Sequence, residues 1–364
     1  MSRGRVAVST GGGDAPGLNA ALRAVTVAAV RRGWEVIGIR RGYAGLLEPG
    51  DAGLLPLDRE TTRGIAHLGG TILGTNNRGD PFRWAVERDG VRAAEDASGR
   101  LVSRFRELGL QALVTLGGDG SMQIAARLLE RGLPRAIGLP KTIDGDLRGT
   151  ERTFGFDTAV ATAVDALDRL HSTAEAHDRV MVVEVMGRYA GWIALAAGLA
   201  GGADAVLLPE RPFELERVAA KVREREAAGR RFSIVVVAEG AREREGALAV
   251  RAGADAFAEH PRLGGIGERV AAGLAERTAK ETRALCLGHL LRGGSPVASD
   301  RLLALELGAE AARVLDETDS SGVVVVRDGR PRLVPFAECT GGFRPVPEDH
   351  PWMLAARGMG ISLG

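Results

Sequence analysis

Lysine is nearly missing from this chain. Of 48 basic residues among 364, only Lys141, Lys221 and Lys280 are lysine, so a lysine inside a motif stands out. Cysteine is almost as scarce. Cys286 and Cys339 are too few for a disulfide framework or a cysteine-rich zinc site, which points to a reducing compartment. An excess of one charge is also missing: 48 basic residues face 47 acidic ones, a formal net charge of +1. That balance argues against a polybasic nucleic-acid binder or an acidic solvating chain. No apolar run reaches membrane length either. Between Arg188 and Asp204 lie 15 uncharged residues, many of them glycine or alanine, whereas a bilayer helix needs ~18–20. Met1 to Arg5 leads straight into a strand-like run, without the apolar core of a secretory leader. The expectation is a cytoplasmic protein with no membrane and no nucleic-acid partner.

What is present is an ordinary globular composition, 45% apolar and 26% charged, in a chain long enough for two domains. Apolar, β-branched runs predict strands at Arg5–Ser9, Glu35–Ile39, Leu113–Leu116, Ala136–Leu139, Val180–Val185, Ala205–Leu208, Ile234–Ala238 and Ala284–Leu287. Segments rich in alanine, leucine and arginine predict helices at Asn19–Arg32, Ser121–Arg131, Thr158–Thr173, Glu214–Ala228 and Gly267–Ala279. Near-continuous apolar strands separated by helices imply mainly parallel sheets covered on both faces, an α/β class. The irregular stretch 145–156 is the expected crossing between two such units. Trp352–Gly364 reads as a helix packing back on the core, and Trp192 as a packing residue.

Two strand ends resemble each other. Val6-Ala7-Val8-Ser9-Thr10 runs into Gly11-Gly12-Gly13-Asp14-Ala15-Pro16-Gly17, and Leu113-Val114-Thr115-Leu116 runs into Gly117-Gly118-Asp119-Gly120-Ser121. Glycine at a strand-to-helix turn lets backbone approach a ligand, and the helix N-terminus offers free N–H groups to an anion. In a parallel sheet such turns open at one edge. Two of them predict nucleotide phosphates or a polyphosphate held between them. Neither is a Walker loop, because no Gly-Lys-Ser/Thr follows. Gly11, Gly13 and Gly17 imitate a dinucleotide fingerprint, but the second strand ends in Arg40-Arg41 rather than an acid, which suits only a 2′-phosphate. An NADP-dependent oxidoreductase is therefore the rival reading.

A third turn, Pro140-Lys141-Thr142-Ile143-Asp144-Gly145-Asp146, puts two carboxylates beside a lysine and a hydroxyl. That set fits a base activating a nucleophile next to bound phosphate. Arginines then recur at strand ends: Arg179 before a strand, Met186-Gly187-Arg188 after it, Arg283 opening another, and Gly288-His289 to Arg292 closing it. Guanidinium forks match phosphate oxygens. The sum predicts two phosphate-bearing ligands meeting in one cleft.

In order, Gly-Gly-Asp-Ala-Pro-Gly-Leu-Asn, Gly-Gly-Asp-Gly-Ser, Pro-Lys-Thr-Ile-Asp, Glu-Val-Met-Gly-Arg and Gly-His-x-x-Arg-Gly-Gly resemble the phosphofructokinase family, whose members phosphorylate fructose 6-phosphate at O1. The resemblance runs from about Val6 to Leu307. It implies two Rossmann-like α/β domains with the active site in the cleft between them: residues 1–150 with about 291–341 for the phosphoryl donor, and 151–290 with about 342–364 for the sugar phosphate. It also implies that Gly12, Arg78, Gly118, Asp119, Gly120 and Ser121 bind ATP, with Mg²⁺ on Asp119. Asp144 would accept the hydroxyl proton, with Lys141 and Arg188 completing the catalytic set. Thr142, Met186, Gly187, Arg188, Glu239, His289 and Arg292 would hold the sugar phosphate. Arg179 and Arg283 would come from a neighbouring subunit, in a homodimer or homotetramer.

Family members use ATP or pyrophosphate, and the resemblance is mixed here. Gly120 stands where pyrophosphate enzymes usually carry aspartate, whereas Lys141 stands where typical bacterial ATP enzymes carry glycine. A carboxylate against phosphate is the harder barrier, so ATP is the expected donor and pyrophosphate the alternative. Gly145 replaces the family's asparagine and is expected to loosen the turn that aims Asp144. Leu291 replaces its glutamine. Where an arginine-rich effector pocket would lie, Arg23 is kept, but Val27 and His171 replace arginines, so weak effector control is expected. The Gly120→Asp variant should lose ATP-dependent turnover far more than pyrophosphate-dependent turnover; undiminished ATP use in that variant would sink the steric argument.

Overall fold

The alternation of valine-rich runs and amphipathic segments resolves into two open sheets. The computed structural model describes residues 3–76, 79–88, 91–244, 246, 249–252 and 262–364. Among these residues the chain lays down β1 (Gly4–Thr10), β2 (Trp34–Ile39) and β3 (Leu54–Leu57), then the hairpin β4 (Trp84–Arg88) and β5 (Val91–Glu95), then β6 (Leu110–Gly117), β7 (Ala136–Thr142) and the short β8 (Phe154–Gly155). A second region contributes β9 (Val180–Val185), β10 (Ala205–Leu207), β11 (Ser233–Ala238), the short pair β12 (Val250–Ala252) and β13 (Arg262–Leu263), and β14 (Thr282–Cys286). The chain then returns with β15 (Gly322–Arg327) and β16 (Arg330–Val334).

The larger sheet has the order β16-β15-β7-β6-β1-β2-β3, with β8 attached to β7, and the smaller has the order β10-β11-β9-β14. All pairings of the smaller sheet are parallel; in the larger, only β2–β3 and β15–β16 are antiparallel. The expected α/β class with mainly parallel sheets is what the chain forms. Because alternate side chains point to opposite faces, each strand feeds two cores. Val6 and Val8 pack with Leu22 and Val25 of helix Leu18–Arg31 and Leu303 and Leu307 of helix Ala298–Glu317, while Ala7 joins Phe105 and Leu128 on the other face. On β9, Val180 and Val182 face Val218 and Leu274; Val183 and Val185 face Leu167 and Leu195.

All eight expected strands and all five expected helices are present, with ends shifted by a few residues. Helix Trp192–Ala200 accounts for the uncharged stretch, since Trp192 to Gly198 are all buried; among the described residues no helix is long and apolar enough to cross a membrane. The β15–β16 hairpin is not among the expected strands, although Asp328-Gly329 marks it. Both residues take positive φ, 51° and 67°, as a two-residue hairpin turn between right-twisted strands requires. The tail is only partly helical: Pro351–Gly358 forms a helix, and Ser362 then bridges Ala205 at the edge of the smaller sheet. Gly360, at φ 72°, lets the chain turn away after the helix.

Helix Phe156–Ala176 makes the passage to β9 of the smaller sheet, whereas the stretch 145–153 leads only from β7 to β8, its neighbour in the larger sheet. That helix is tied back by Asp300. This buried carboxylate of helix Ala298–Glu317 accepts from Thr158 N at 2.7 Å and Thr158 Oγ1 at 2.6 Å, which satisfies first-turn groups that a helix leaves open. Helix Ala298–Glu317 also lies tightly on helix Leu18–Arg31: a Cβ added at Gly308 would meet Ala24 Cβ at 2.6 Å and Ala21 O at 2.8 Å. Gly308→Val should therefore force the two helices apart and cost about 1–3 kcal/mol, read as a lower thermal midpoint. An unchanged midpoint would mean that the contact gives way freely.

Candidate active site

Three glycine- or acid-bearing turns leave the same edge of the larger sheet because their strands are neighbours. β6 lies between β1 and β7, with Thr10 beside Leu116 and Leu116 beside Leu139. The turns Gly11–Gly17, Gly117–Ser121 and Thr142–Asp146 consequently stand side by side. Gly12 lies in the first, Gly118, Asp119, Gly120 and Ser121 in the second, and Asp119 is the first residue of helix Asp119–Glu130. Gln123 Nε2, one turn on, donates to Asp119 Oδ2 at 2.5 Å. Arg78 lies outside the described residues. The asparagine of the first motif serves the scaffold: Asn19 is buried, donates to Leu68 O and Gly69 O at 3.1 and 3.2 Å, and accepts from Ile72 N at 2.9 Å.

The smaller sheet offers a matching edge. β9 lies between β11 and β14, so Met186-Gly187-Arg188, Glu239 and the turn Gly288–Arg292 also emerge together. Glu239 N donates to Val185 O at 2.9 Å and Gly240 N to Gly187 O at 3.1 Å, locking two of these loops to each other. Glu184 of the fourth motif does not face the cleft as a ligand. Its carboxylate is 3% exposed and accepts from Gly265 N at 3.1 Å and Gly267 N at 2.8 Å, capping helix Ile266–Thr278. Leu291, fully buried, fills the core of the smaller sheet, so the residue that replaces glutamine does not itself face the cleft. His289 is exposed at the start of its turn.

The two edges meet through charge. Arg292 Nη1 donates to Asp14 O at 3.2 Å, and a Cβ on Gly13 would meet the same guanidinium nitrogen at 2.9 Å; glycine there admits the arginine. Lys141 is 3% exposed and its Nζ donates to Gly13 O. Burial, with Arg292 beside it, lowers the amine to about 7 against the pull of Asp144, Asp14 and Asp146. Asp144 N is held by Thr142 Oγ1 at 3.1 Å. Burial raises the Asp144 carboxyl, opposed by Arg292, Lys141 and Arg188. Asp146 is pushed up to about 7 by burial and then by Asp144, with Asp119 adding to it and the Thr142 hydroxyl opposing. Glu239 is raised by burial first and by Asp144 second, with Arg188 opposing. Lys141, Thr142, Asp144, Arg188, Glu239 and Arg292 thus share one electrostatic neighbourhood, and Asp119 belongs to it through Asp146.

Arg179 and Arg283 do not join it. Arg179 precedes β9 and Arg283 is the second residue of β14, so both lie at the end opposite Arg188, roughly 20 Å away at ~3.3 Å per strand residue. Both pair with Glu281, at 3.0 and 2.5 Å. Of the expected effector residues, Arg23 donates to Thr62 O at 2.8 Å, and the His171 ring lies 2.8 Å from Gly201 O and edge-on to Phe232.

A family model described as Phosphofructokinase matches residues 5–315. The chain belongs to the phosphofructokinase family. A relative from Chloroflexus aurantiacus, named ATP-dependent 6-phosphofructokinase, is 49% identical over 360 residues, covering 99% of this chain and 98% of its own. One from Synechocystis, ATP-dependent 6-phosphofructokinase 1, is 43% identical over 362 residues, covering 99% and 98%. Among solved structures, phosphofructokinase from Saccharomyces cerevisiae superposes with a TM-score of 0.77 at 31% identity, over 93% of this chain and 45% of that one. Pyrophosphate-dependent phosphofructokinase from Marinobacter aquaeolei gives 0.77 at 21% identity, over 99% and 88%, a likeness of fold. For this phosphofructokinase the oxidoreductase reading is set aside.

The Asp144–Asp146 pair has a measurable consequence. A carboxyl titrating near 7 in the folded state and near ~3.9 when unfolded costs stability as pH rises from ~4 to ~7, and costs nothing below that window. Asp146→Asn should therefore raise the thermal midpoint at pH 8 and leave it unchanged near pH 4. An equal shift at both values would show that the effect is not electrostatic.

Proposed function

We propose that this enzyme transfers the γ-phosphoryl group of ATP to O1 of fructose 6-phosphate, giving fructose 1,6-bisphosphate in glycolysis. The observation that carries this reading is the juxtaposition of the Asp144 turn with two glycine turns on one side and with Arg188, Glu239 and Arg292 on the other. Phosphoryl transfer asks chiefly for alignment and charge neutralisation. Gly12, Arg78, Gly118, Gly120 and Ser121 take the donor phosphates. Thr142, Met186, Gly187, Arg188, Glu239, His289 and Arg292 take the sugar phosphate. Asp144 accepts the O1 proton as the O1–Pγ bond forms and the bond from Pγ to the bridging oxygen breaks, releasing ADP. Its carboxyl, raised by burial against the pull of Arg292, Lys141 and Arg188, is a stronger base than an exposed aspartate. Lys141 and Arg188 offset charge on the moving phosphoryl group.

A divalent cation fits this setting. Asp144 and Asp119 both raise the Asp146 pKa, so hard carboxylate oxygens are near one another here, although among the described residues no three His, Cys, Asp or Glu side chains are grouped so as to hold a metal ion together. Mg²⁺ commonly takes one or two carboxylates and completes its shell with water and phosphate oxygens. Asp119 is the residue proposed to hold it, and the ion would supply charge neutralisation on the donor phosphates. We assign residues 1–150 and about 291–341 to the donor half, supported by β15 pairing with β7, and residues 151–290 and about 342–364 to the sugar half. Arg179 before β9 and Arg283 on β14, whose Ala284, Leu285 and Cys286 are exposed, both lie away from their own cleft and fit service in a neighbouring subunit of a homodimer or homotetramer.

Pyrophosphate is the second reading for the donor, favoured only by Lys141 between the two glycine turns. One assay addresses both: purified protein, Mg²⁺ and fructose 6-phosphate with ATP or pyrophosphate in parallel. Bisphosphate formed with ATP is expected, and product with pyrophosphate alone would reverse the assignment. In the same assay Asp144→Ser should lower kcat about 10²–10⁴-fold with KM within a few-fold. A loss shared equally by binding and turnover would make Asp144 structural.

A further inference from the structure

The turn that carries Asp144 is gripped from the far end of the chain. Gly145 has φ 67°, and a Cβ there would meet the Phe156 ring at 3.0 Å, so the left-handed turn is built around a residue without a side chain. Nothing on residue 145 itself fixes it. Its carbonyl oxygen instead accepts from Arg344, Nη2 at 2.7 Å and Nε at 3.2 Å, while Arg344 Nη1 donates to Glu151 O at 3.2 Å. Arg344 N donates to Asp146 O at 2.7 Å, and Phe343 bridges Leu147 in antiparallel register. Main chain and side chain of one short segment thus bracket Asp144 on its C-terminal side.

That segment is held in turn by the other side of the cleft. Trp192, 4% exposed, donates from Nε1 to Arg344 O at 2.8 Å, and its ring centroid lies 4.5 Å from the guanidinium carbon. His350 and Trp352 pack edge-on against Trp192. Phe343 stacks on Tyr189 at 4.0 Å, one residue from Arg188. Glu210 accepts from Val346 N at 2.8 Å and Gly191 N at 3.0 Å. The brace lies beyond residue 315, where the family match ends. A planar fork with several fixed donors suits a carbonyl that must not move, and a lysine offers only a point charge on a flexible stem.

We propose that Arg344 is a positioning residue for phosphoryl transfer: by fixing the Gly145 carbonyl it aims the Asp144 carboxylate at the sugar hydroxyl. The inference rests on the reading of Asp144 as the base. A reacting group displaced by about 1 Å loses on the order of 10²-fold in rate. Arg344→Met should accordingly lower kcat by about 10–100-fold while KM for ATP and fructose 6-phosphate stays within about threefold, because phosphate binding is left intact. Arg344→Lys should recover part of that loss, and Trp192→Phe, which removes the Nε1 bond to the brace and trims the ring against the guanidinium, should lose less than Arg344→Met. Turnover of Arg344→Met within twofold of the unaltered enzyme overturns the proposal. So does a combined loss of kcat and KM that lysine fails to relieve, which marks a general structural role. Should Arg344→Met not fold, unchanged kcat in both Arg344→Lys and Trp192→Phe is equally decisive against it. Absence of turnover in the unaltered enzyme sinks the functional reading and this one together; an active enzyme with indifferent variants sinks this one alone.

Discussion

A primary amine withdrawn from water is the interaction around which the centre of this molecule is organised. Lys141 sits at the end of β7, bound to Gly13 O and surrounded by Asp14, Asp144, Asp146 and Arg292. Burying so many charges is tolerable only when each compensates another. Balance fixes the layout: two carboxylates stand two residues beyond each other on the lysine's own turn, and an arginine arrives from a different sheet. An amine poised near neutrality responds strongly to whatever anion comes next to it, so under the proposed function the same residue is both a structural tie and an electrostatic receptor for phosphate.

Strand order converts this local balance into a cleft. Each sheet places three consecutive turns at one edge, β1, β6 and β7 in the larger and β11, β9 and β14 in the smaller. Parallel pairing leaves little choice about the side on which those turns open. The residues between them are occupied with anchoring. Asn19 holds the loop at 68–72, Glu184 caps one helix and Asp300 another, so loops that would otherwise wander are pinned to rigid elements.

Much of this was legible in the residue order because the signals are local. A valine run followed by glycines and an acid announces a strand, a turn and a helix within a dozen residues, and three such passages named Asp119, Lys141 and Asp144 directly. Leu291 and Gly145 were legible as departures but not in their consequences. Whether Leu291 faced the cleft depended on the path of a short helical turn, and it points into the core. Whether Gly145 loosened its turn depended on Arg344, 199 residues away in sequence. In a chain carrying 45 arginines, no pattern of spacing singles that one out. Glu184, read as part of a ligand motif, was the converse: a functional neighbourhood in sequence and a helix cap in space.

The pairing of the first helix with a helix about five-sixths of the way along the chain has a consequence for biosynthesis. Leu22 and Val25 find their cover in Leu303 and Leu307, and the larger sheet is completed only by strands ending at Val334. At translation speeds of about 5–20 residues per second, the apolar face of the first helix emerges on the order of 15–60 s before the helix that shields it. During that interval the nascent polypeptide displays a greasy surface with no intramolecular partner. The protein can first become sealed against aggregation only once that late helix and the strands ending at Val334 have emerged, and its dependence on chaperones should be concentrated before that point.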